Sequence, residues 1–253
     1  MGKTKIEWVT DVWNPVTGCT KISEGCANCY AERMAKRLHG RYGYPNERPF
    51  DVTLHHDRLG LPARWKKPRR IFVNSMSDLF HDDVPFEFID EVLQTATATS
   101  RHTYMILTKR PERMVAFFKE FADREYVGSP ALWFGVTVEN QAQAEKRISF
   151  LYQIPAAIKF ISVEPMLGKI DLTGYLSRRR GPLLPRSFLL WSSTRLIDWV
   201  ICGPETGPGA RPFNPAWARV LRDQCQSVVV PFFYKGKEPP KDLKIHEVPY
   251  MQY

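Results

Sequence analysis

Apolar residues along the chain follow two alternating patterns, which predict strands and helices. Short apolar runs bounded by turn-forming residues predict strands at residues 69–75, 104–108, 132–138, 158–163, 199–202 and 228–234. Apolar residues at helical spacing predict helices at residues 30–38, 85–93, 111–118, 141–151 and 216–224. Because strands that alternate with helices pair in parallel through right-handed crossovers, the pattern predicts an α/β fold.

Within this class, we expect a partial or distorted (β/α) barrel of about six to seven parallel strands with its helices outside. An open doubly wound α/β sheet is the alternative. A chain of 253 residues, 43% of them hydrophobic, suffices for one core, so residues 1–253 are predicted to form a single domain. Two irregular excursions, rich in glycine, proline and arginine, are predicted near residues 41–68 and 168–196.

The sequence also predicts where the protein resides. Its first residues lack the apolar core of a signal peptide, and no run approaches the roughly eighteen consecutive apolar residues of a membrane helix. We therefore expect a soluble, cytoplasmic protein.

Positive charge is in excess, with a formal net charge of +9. This charge favours a polyanionic partner, with nucleic acid as the leading candidate and a solvated basic surface as the alternative. Cations bind phosphates and an exposed Trp stacks on bases, so two basic segments are predicted to flank the barrel mouth as a nucleic-acid interface. Its members are Arg64, Trp65, Lys66, Lys67, Arg69, Arg70, Arg178, Arg179 and Arg180. In the alternative interpretation, Trp65 anchors the core and the arginine run is a flexible charged loop.

Three of the five cysteines, Cys19, Cys26 and Cys29, fall within residues 19–29. Thiolates this close in sequence predict a metal site, and their softness favours an iron-sulfur cluster or zinc. A structural zinc ion needs four ligands, and His39, the nearest candidate for the fourth, lies beyond a predicted helix. Three cysteines suit a [4Fe-4S] cluster whose fourth iron stays open for a non-protein ligand. The sequence thus favours such a cluster, with zinc as the alternative.

Polar residues collect where the predicted strands end. They lie in segments 75–78, 108–110, 137–140, 162–165 and 202–207. In parallel α/β folds, ligands bind beyond the carboxyl ends of the strands. Each polar residue alone could be a cap or a surface group, but together they predict a polar ring around the barrel mouth.

The sequence around the cysteines resembles the cluster-binding loop of radical S-adenosylmethionine enzymes, particularly the spore photoproduct lyase-like branch. The motifs that carry the resemblance are Asn14-Pro15, Gly18-Cys19 and Cys26-x-x-Cys29-Tyr30-Ala31. The spacing here is C-x6-C-x2-C, whereas C-x3-C-x2-C is the commonest in the superfamily. The whole chain is similar to a phage-associated three-cysteine-motif protein family.

This resemblance implies a radical SAM-like domain with a [4Fe-4S] cluster and S-adenosyl-L-methionine as cofactors. Electron transfer from the cluster would give a 5′-deoxyadenosyl radical, so the cofactor carries the difficult chemistry and the protein directs it. The electron donor would be a partner such as a flavodoxin or ferredoxin, and a further partner protein is another expected interaction.

The resemblance also assigns the cofactor contacts. The Ser-Asp and Thr-Lys motifs that hold the methionine part of S-adenosylmethionine in this branch match residues 77–78 and 108–109. Asp78 would bind the ammonium group and Lys109 the carboxylate, through charge-assisted hydrogen bonds. The full set of candidate cofactor ligands is Tyr30, Ser75, Ser77, Asp78, Lys109 and Thr137.

Three further residues are candidates for the reaction itself. Glu164 and Glu205 would contact ribose hydroxyls or the substrate, or alternatively pair with Arg or Lys at the rim. Cys202 would be a hydrogen-atom donor, or alternatively a buried structural thiol. The hydrogen-donating cysteine of the lyases is missing from residues 74–76, so repair of the spore photoproduct is not predicted.

The predicted function is radical modification of a nucleobase, nucleotide or nucleic acid. A non-catalytic, metal-stabilised protein that binds nucleic acid or a partner is the alternative from a different class. A radical enzyme that acts on a peptide is a third interpretation.

Overall fold

The computed structural model describes residues 4–176, 196–236 and 238–249. Its strands are β1 (Asp11–Trp13), β2 (Val16–Thr17), β3 (Thr53–Leu54), β4 (Arg70–Val73), β5 (Thr103–Thr108), β6 (Leu132–Thr137), β7 (Ile158–Val163), β8 (Trp199–Cys202) and β9 (Phe232–Tyr234). Seven of them form one sheet in which every pair is parallel, while β2 and β3 form a small antiparallel sheet.

The α-helices of the described residues are α1 (Tyr30–Leu38), α2 (Phe86–Ala98), α3 (Pro111–Glu120), α4 (Gln141–Leu151), α5 (Thr173–Leu176) and α6 (Pro215–Ser227). Asparagine side chains cap two of them: Asn140 accepts from the amide of Gln143 at 3.0 Å, and Asn214 accepts from that of Ala216 at 2.9 Å. No helix in these ranges is long and apolar enough to cross a membrane.

The order of strands in the large sheet is β1-β4-β5-β6-β7-β8-β9, which follows their order in the chain. A doubly wound sheet reverses its order at a switch point, and this sheet has no reversal. Its edges are β1 and β9, and no pairing closes them into a ring within the described residues. The sheet is therefore a curled half-barrel with helices outside, which confirms the predicted partial (β/α) barrel.

Side chains of the large sheet pack on two sides, because successive residues of a strand point to opposite faces. On the outer face, residues such as Ile106 pack with helix residues such as Ile148 in the larger hydrophobic core. On the inner face, Trp133, Phe160 and Trp199 belong to a second core without helix residues. Their ring centroids lie 6.2 Å (Trp133 to Trp199) and 5.9 Å (Phe160 to Trp199) apart. These rings fill the barrel interior toward the amino ends of the strands.

Most predicted elements are confirmed, and several have the predicted bounds: α1, α4, β7 and β8. β9 is shorter than predicted and begins at Phe232. The amides of Val228 and Val229 instead bond back to α6, and Val229 adopts a left-handed φ of 59°. β1 was not predicted, since three residues are too few to show an alternating pattern. The excursion at residues 41–68 contains β3 and two short 3-10 helices.

Candidate active site

A cavity of about 270 Å³ lies at the carboxyl ends of the strands. It is lined by the segment that carries the three cysteines and by residues at or after the ends of β4 to β9. All predicted cluster and cofactor ligands line it: Cys19, Cys26, Cys29, Tyr30, Ser75, Ser77, Asp78, Lys109 and Thr137. Glu164 and Glu205 also line it. The structure therefore brings these predicted site residues to one place.

The segment 14–29, called the cysteine loop below, is tied to the residues after β4. The Gly18 amide donates to the Met76 carbonyl at 3.1 Å. Gly18 has a left-handed φ of 85°, and a Cβ at this position would lie 2.0 Å from the Asp51 carbonyl oxygen. Only glycine fits such a close approach, so Gly18 fixes the path of the chain just before Cys19.

The middle of the cysteine loop rests on a buried ion pair after β6. Arg147 donates to the Glu139 carboxylate at 2.8 Å, and the two side chains are 3% and 0% exposed. The other carboxylate oxygen of Glu139 accepts from the Ser23 hydroxyl. A Cβ on Gly25 would lie 2.3 Å from Cγ of Glu139, so the loop backbone packs directly on this carboxylate. Glu139 thus positions the turn that ends at Cys26.

The last part of the cysteine loop is held by the segment after β8. Asn28 donates to Glu205 Oε2 at 3.0 Å. Arg33 donates to the carbonyl oxygens of Asn28 and Thr206, each at 3.1 Å. Cys29 is the residue that precedes α1, in an extended conformation. The three cysteines are therefore positioned by contacts from three different strand ends.

All three thiols of the cysteine loop are free of disulfide bonds. Burial raises the pKa of Cys19 to about 11, and the Asp78 carboxylate adds to this effect. Burial also acts to raise the pKa of Cys26, but the Lys109 ammonium and backbone hydrogen bonds outweigh it, so this pKa is lowered. The two thiols thus have different electrostatic surroundings within one cavity.

The donor set of the cavity fits an iron-sulfur cluster by its chemistry. Soft thiol ligands hold such clusters, and three of them line the cavity wall. The other two cysteines, Cys202 and Cys225, are fully buried elsewhere, so no fourth thiol lines this wall. Within the described residues, no group of three or more His, Cys, Asp or Glu side chains is arranged around a single metal-ion position.

Asp78 has a different role from the one predicted. Its Oδ1 accepts from the Phe80 amide at 3.0 Å and from the Thr108 hydroxyl at 2.7 Å. Its Oδ2 accepts from the Lys109 amide at 3.0 Å and from Arg110 at 3.4 Å. A carboxylate has about four acceptor positions, and here all are used. The structure therefore does not support Asp78 as a ligand for an ammonium group, because it already braces two strand ends.

Lys109 and Asn74 offer unused donors to the cavity. The Lys109 ammonium forms no hydrogen bond or ion pair within the described residues. Asn74 is 3% exposed, and its Nδ2 has no hydrogen-bond partner although its Oδ1 accepts from the Val16 amide at 3.1 Å. Val73 pairs with Ile106, so Asn74 and Lys109 follow neighbouring strands on the same face. A buried donor without a partner is costly unless a ligand binds it.

The predicted hydroxyl ligands line the same cavity. Ser75 donates to an oxygen of Asn14 at 3.2 Å, and Ser77 donates to a backbone carbonyl at 2.9 Å. Each hydroxyl oxygen can still accept a hydrogen bond. Thr137 is buried, whereas Tyr30 is 59% exposed at the start of α1. These residues can surround a ligand, although none carries a charge to anchor it.

Both candidate carboxylates form rim ion pairs, as in the alternative interpretation. Glu164 Oε1 lies 2.7 Å from the Lys235 ammonium, and Glu164 Oε2 accepts from Ser162 at 3.1 Å. Arg211 binds both oxygens of Glu205, at 2.6 and 2.9 Å, and lowers the pKa of that carboxyl to about 2. Glu205 is therefore ionised and already bound.

Cys202 does not line the cavity. It lies on the outer face of the sheet, with its thiol 3.6 Å from the sulfur of Met166. Burial raises its pKa well above the usual value. The geometry therefore contradicts the hydrogen-donor assignment and agrees with the structural-thiol alternative.

The predicted location of the first basic segment is wrong. Residues 64–69 precede β4 and Arg70 is its first residue, so this segment lies at the amino ends of the strands, opposite the cavity. Trp65 packs against the larger core, and the Arg69 guanidinium lies 5.0 Å above its ring and pairs with Asp11. Arg70 lines a separate cavity at that opposite end. The second segment, residues 178–180, lies outside the described residues.

Two residues of the site, Asn74 and Lys235, were not predicted from the sequence, and Arg110 and Glu139 were predicted only as members of the polar ring, without individual roles. All four directly follow, or lie within two residues of, the end of a strand. Their position at strand ends was therefore the feature of the sequence that could have identified them as site residues, because their residue types match no motif.

The fold and site define an α/β half-barrel with a cysteine-lined cavity at its mouth. The chain belongs to the family described as protein of unknown function (DUF5131), which matches residues 3–242. No curated protein matches the sequence.

Solved structures of spore photoproduct lyase are similar in fold. A double mutant with bound AdoMet and dinucleoside spore photoproduct is 11% identical, with a TM-score of 0.44 over 84% of this chain and 60% of that chain. A single mutant is 11% identical, with a TM-score of 0.49 over 91% of this chain and 78% of that chain. The chain thus spans less than two thirds of the first of these proteins.

Proposed function

We propose that this protein is a radical S-adenosylmethionine enzyme that binds a [4Fe-4S] cluster through Cys19, Cys26 and Cys29. The observation that carries the proposal is the shared cavity. Three free thiols line it together with the unpaired ammonium of Lys109 and the unpaired amide of Asn74. The motif resemblance of the cysteine loop supports the same function. When bound, the cluster and S-adenosylmethionine would supply the one-electron chemistry that yields a 5′-deoxyadenosyl radical.

The residues of the chain would hold the amino acid end of S-adenosylmethionine. Lys109 donates to its carboxylate, and the buried amide of Asn74 donates to the same group from the neighbouring strand end. Asp78 keeps Lys109 in place by accepting from its backbone amide at 3.0 Å. The barrel interior below the cavity is filled by aromatic rings, which exclude water from that side.

Replacing Lys109 by Met is expected to weaken the binding of S-adenosylmethionine by roughly tenfold to a hundredfold. The reason is that a hydrogen bond to a charged group contributes about 1.5–3 kcal/mol. Calorimetric titration of the anaerobically reconstituted protein measures this change. The matched control is Lys119→Met, because Lys119 is exposed near the carboxyl end of α3, the helix that follows Lys109. Equal affinity in both variants would refute the assignment of Lys109.

The proposed substrate is a nucleobase, nucleotide or nucleic acid. The net charge of +9 supports it. If the reaction takes place at the cavity, the basic side chains that bind the phosphates of the substrate must lie on that side of the barrel. Residues 64–70 lie on the opposite side, so residues 178–180 are the remaining candidates from the sequence.

Binding of a DNA or RNA oligomer is expected to weaken with salt by roughly 0.7–0.9 log units per phosphate contact. Changing Arg178, Arg179 and Arg180 to Gln should flatten this slope. The control carries three matching changes, of Arg64, Lys66 and Lys67 to Gln, and should keep the slope of the natural protein. If binding is absent at low salt, the substrate is a small molecule or peptide instead.

A further inference from the structure

Arg110 connects the helix after β5 to the cysteine loop. Its side chain is only 7% exposed although it carries a charge. One guanidinium nitrogen donates to the Cys19 sulfur at 3.6 Å. This hydrogen bond joins a buried cationic side chain directly to a thiol of the proposed cluster site.

The guanidinium group is held in this orientation from several sides. Its second terminal nitrogen donates to the Thr20 carbonyl at 3.1 Å and to the Thr20 hydroxyl at 2.8 Å. Asp78 lies 3.4 Å from the nitrogen that contacts Cys19. The Thr20 hydroxyl is itself 2.8 Å from a ring nitrogen of His81. The donor is therefore preorganised by the protein before any cluster binds.

We propose that Arg110 tunes the reduction potential of the cluster by donating a hydrogen bond to the sulfur of Cys19. This inference rests on the proposed function. Reduction adds negative charge that is shared with the thiolate ligands, so a donor at the sulfur stabilises the reduced state more than the oxidised state. Hydrogen bonds to ligand sulfurs are a known determinant of such potentials. Arg110 therefore raises the potential and makes the cluster easier to reduce.

The contact with Cys19 is specific to one ligand. Lys109, the preceding residue, lines the same cavity but forms no hydrogen bond to a thiol within the described residues. Arg110 instead contacts Cys19 directly. The hydrogen bond to Cys19 therefore distinguishes the effect of Arg110 from that of a nearby charge alone.

The test compares Arg110→Gln and Arg110→Lys with the natural protein in redox titrations followed by electron paramagnetic resonance. In the Gln variant, the ratio of reduced to oxidised cluster at a fixed potential should fall about tenfold, which is about 59 mV for a one-electron couple. The Lys variant keeps the charge but not the planar donor group. Its ratio of reduced to oxidised cluster should therefore lie between the ratios of the natural protein and the Gln variant.

The matched control is Arg113→Gln, which removes a positive charge from the first turn of α3, three residues after Arg110. Arg113 donates to the His81 carbonyl at 3.1 Å and contacts no thiol. An equal shift in Arg113→Gln and Arg110→Gln would overturn the proposal, because charge alone would then explain it. An unchanged potential in both Arg110 variants would also overturn it. Loss of the cluster from both Arg110 variants would also overturn it, because Arg110 would then be needed to hold the cysteine loop in place and not to set the reduction potential.

Iron and sulfide analysis of the natural protein separates this inference from the proposed function. If the natural protein binds no cluster, the proposed function fails and the inference fails with it. If the natural protein and all variants bind the cluster with the same reduction potential, only the inference about Arg110 fails.

Discussion

Replacing Cys19, Cys26 or Cys29 by Ala, one at a time, is expected to abolish the iron and sulfide content of the anaerobically reconstituted protein. Each cysteine would supply one of only three protein ligands, and no other cysteine lines the cavity. Loss of one ligand leaves a second iron without a protein bond. Iron and sulfide assays, together with the broad visible absorbance, measure the loss.

The control for this prediction is Cys225→Ala. Cys225 lies in α6, fully buried in the larger hydrophobic core and outside the cavity. Its replacement removes a thiol without touching the cysteine loop, so the cluster should remain. A Cys19, Cys26 or Cys29 variant that keeps the natural content of iron and sulfide would show that this cysteine is not a ligand.

Replacing Arg147 by Met is expected to lower the free energy of unfolding by about 3–5 kcal/mol, because it leaves a buried carboxylate without its cation. Glu139 is 0% exposed and has Arg147 as its ion-pair partner. Arg147 also donates to the Thr137 carbonyl at 2.7 Å, which would lose this bond. For a domain of this size, the melting temperature should fall by about 10 °C.

The control is a change at Lys146, which precedes Arg147 in α4. Lys146 pairs with Glu112 at 3.4 Å, but these side chains are 63% and 42% exposed. An exposed pair contributes about 0–1 kcal/mol, so Lys146→Met should shift the melting temperature little. A similar small shift in Arg147→Met would mean that the Glu139 ion pair does not hold the fold or the cysteine loop.

The architecture of the chain was largely predictable from the sequence. Buried strands such as β8 are continuous apolar runs, and α4 has an Asn cap directly before its first turn. β1 was not predictable, since it has three residues and gains its structure by pairing with β4. The end of α6 shows the same limit, because backbone hydrogen bonds of Val228 and Val229 override their strand propensity.

The site was predictable in position but not in detail. Strand ends meet at one edge of a parallel sheet, which explains why the cysteines, Lys109 and Glu164 line one cavity. The partners of a carboxylate depend on tertiary contacts, so the sequence could not reveal that Asp78 and Glu205 are already bound. The location of residues 64–70 could have been inferred, because a segment just before a strand lies at the amino edge of the sheet.

Electron paramagnetic resonance of the dithionite-reduced protein, before and after S-adenosylmethionine is added, is the most direct test of the central claim. The claim is that the cysteine loop holds a [4Fe-4S] cluster with one iron open to this ligand. The expected result is the signal of a reduced [4Fe-4S] cluster that changes when S-adenosylmethionine binds. A protein that contains zinc without sulfide, or a cluster signal that S-adenosylmethionine leaves unchanged, would contradict it.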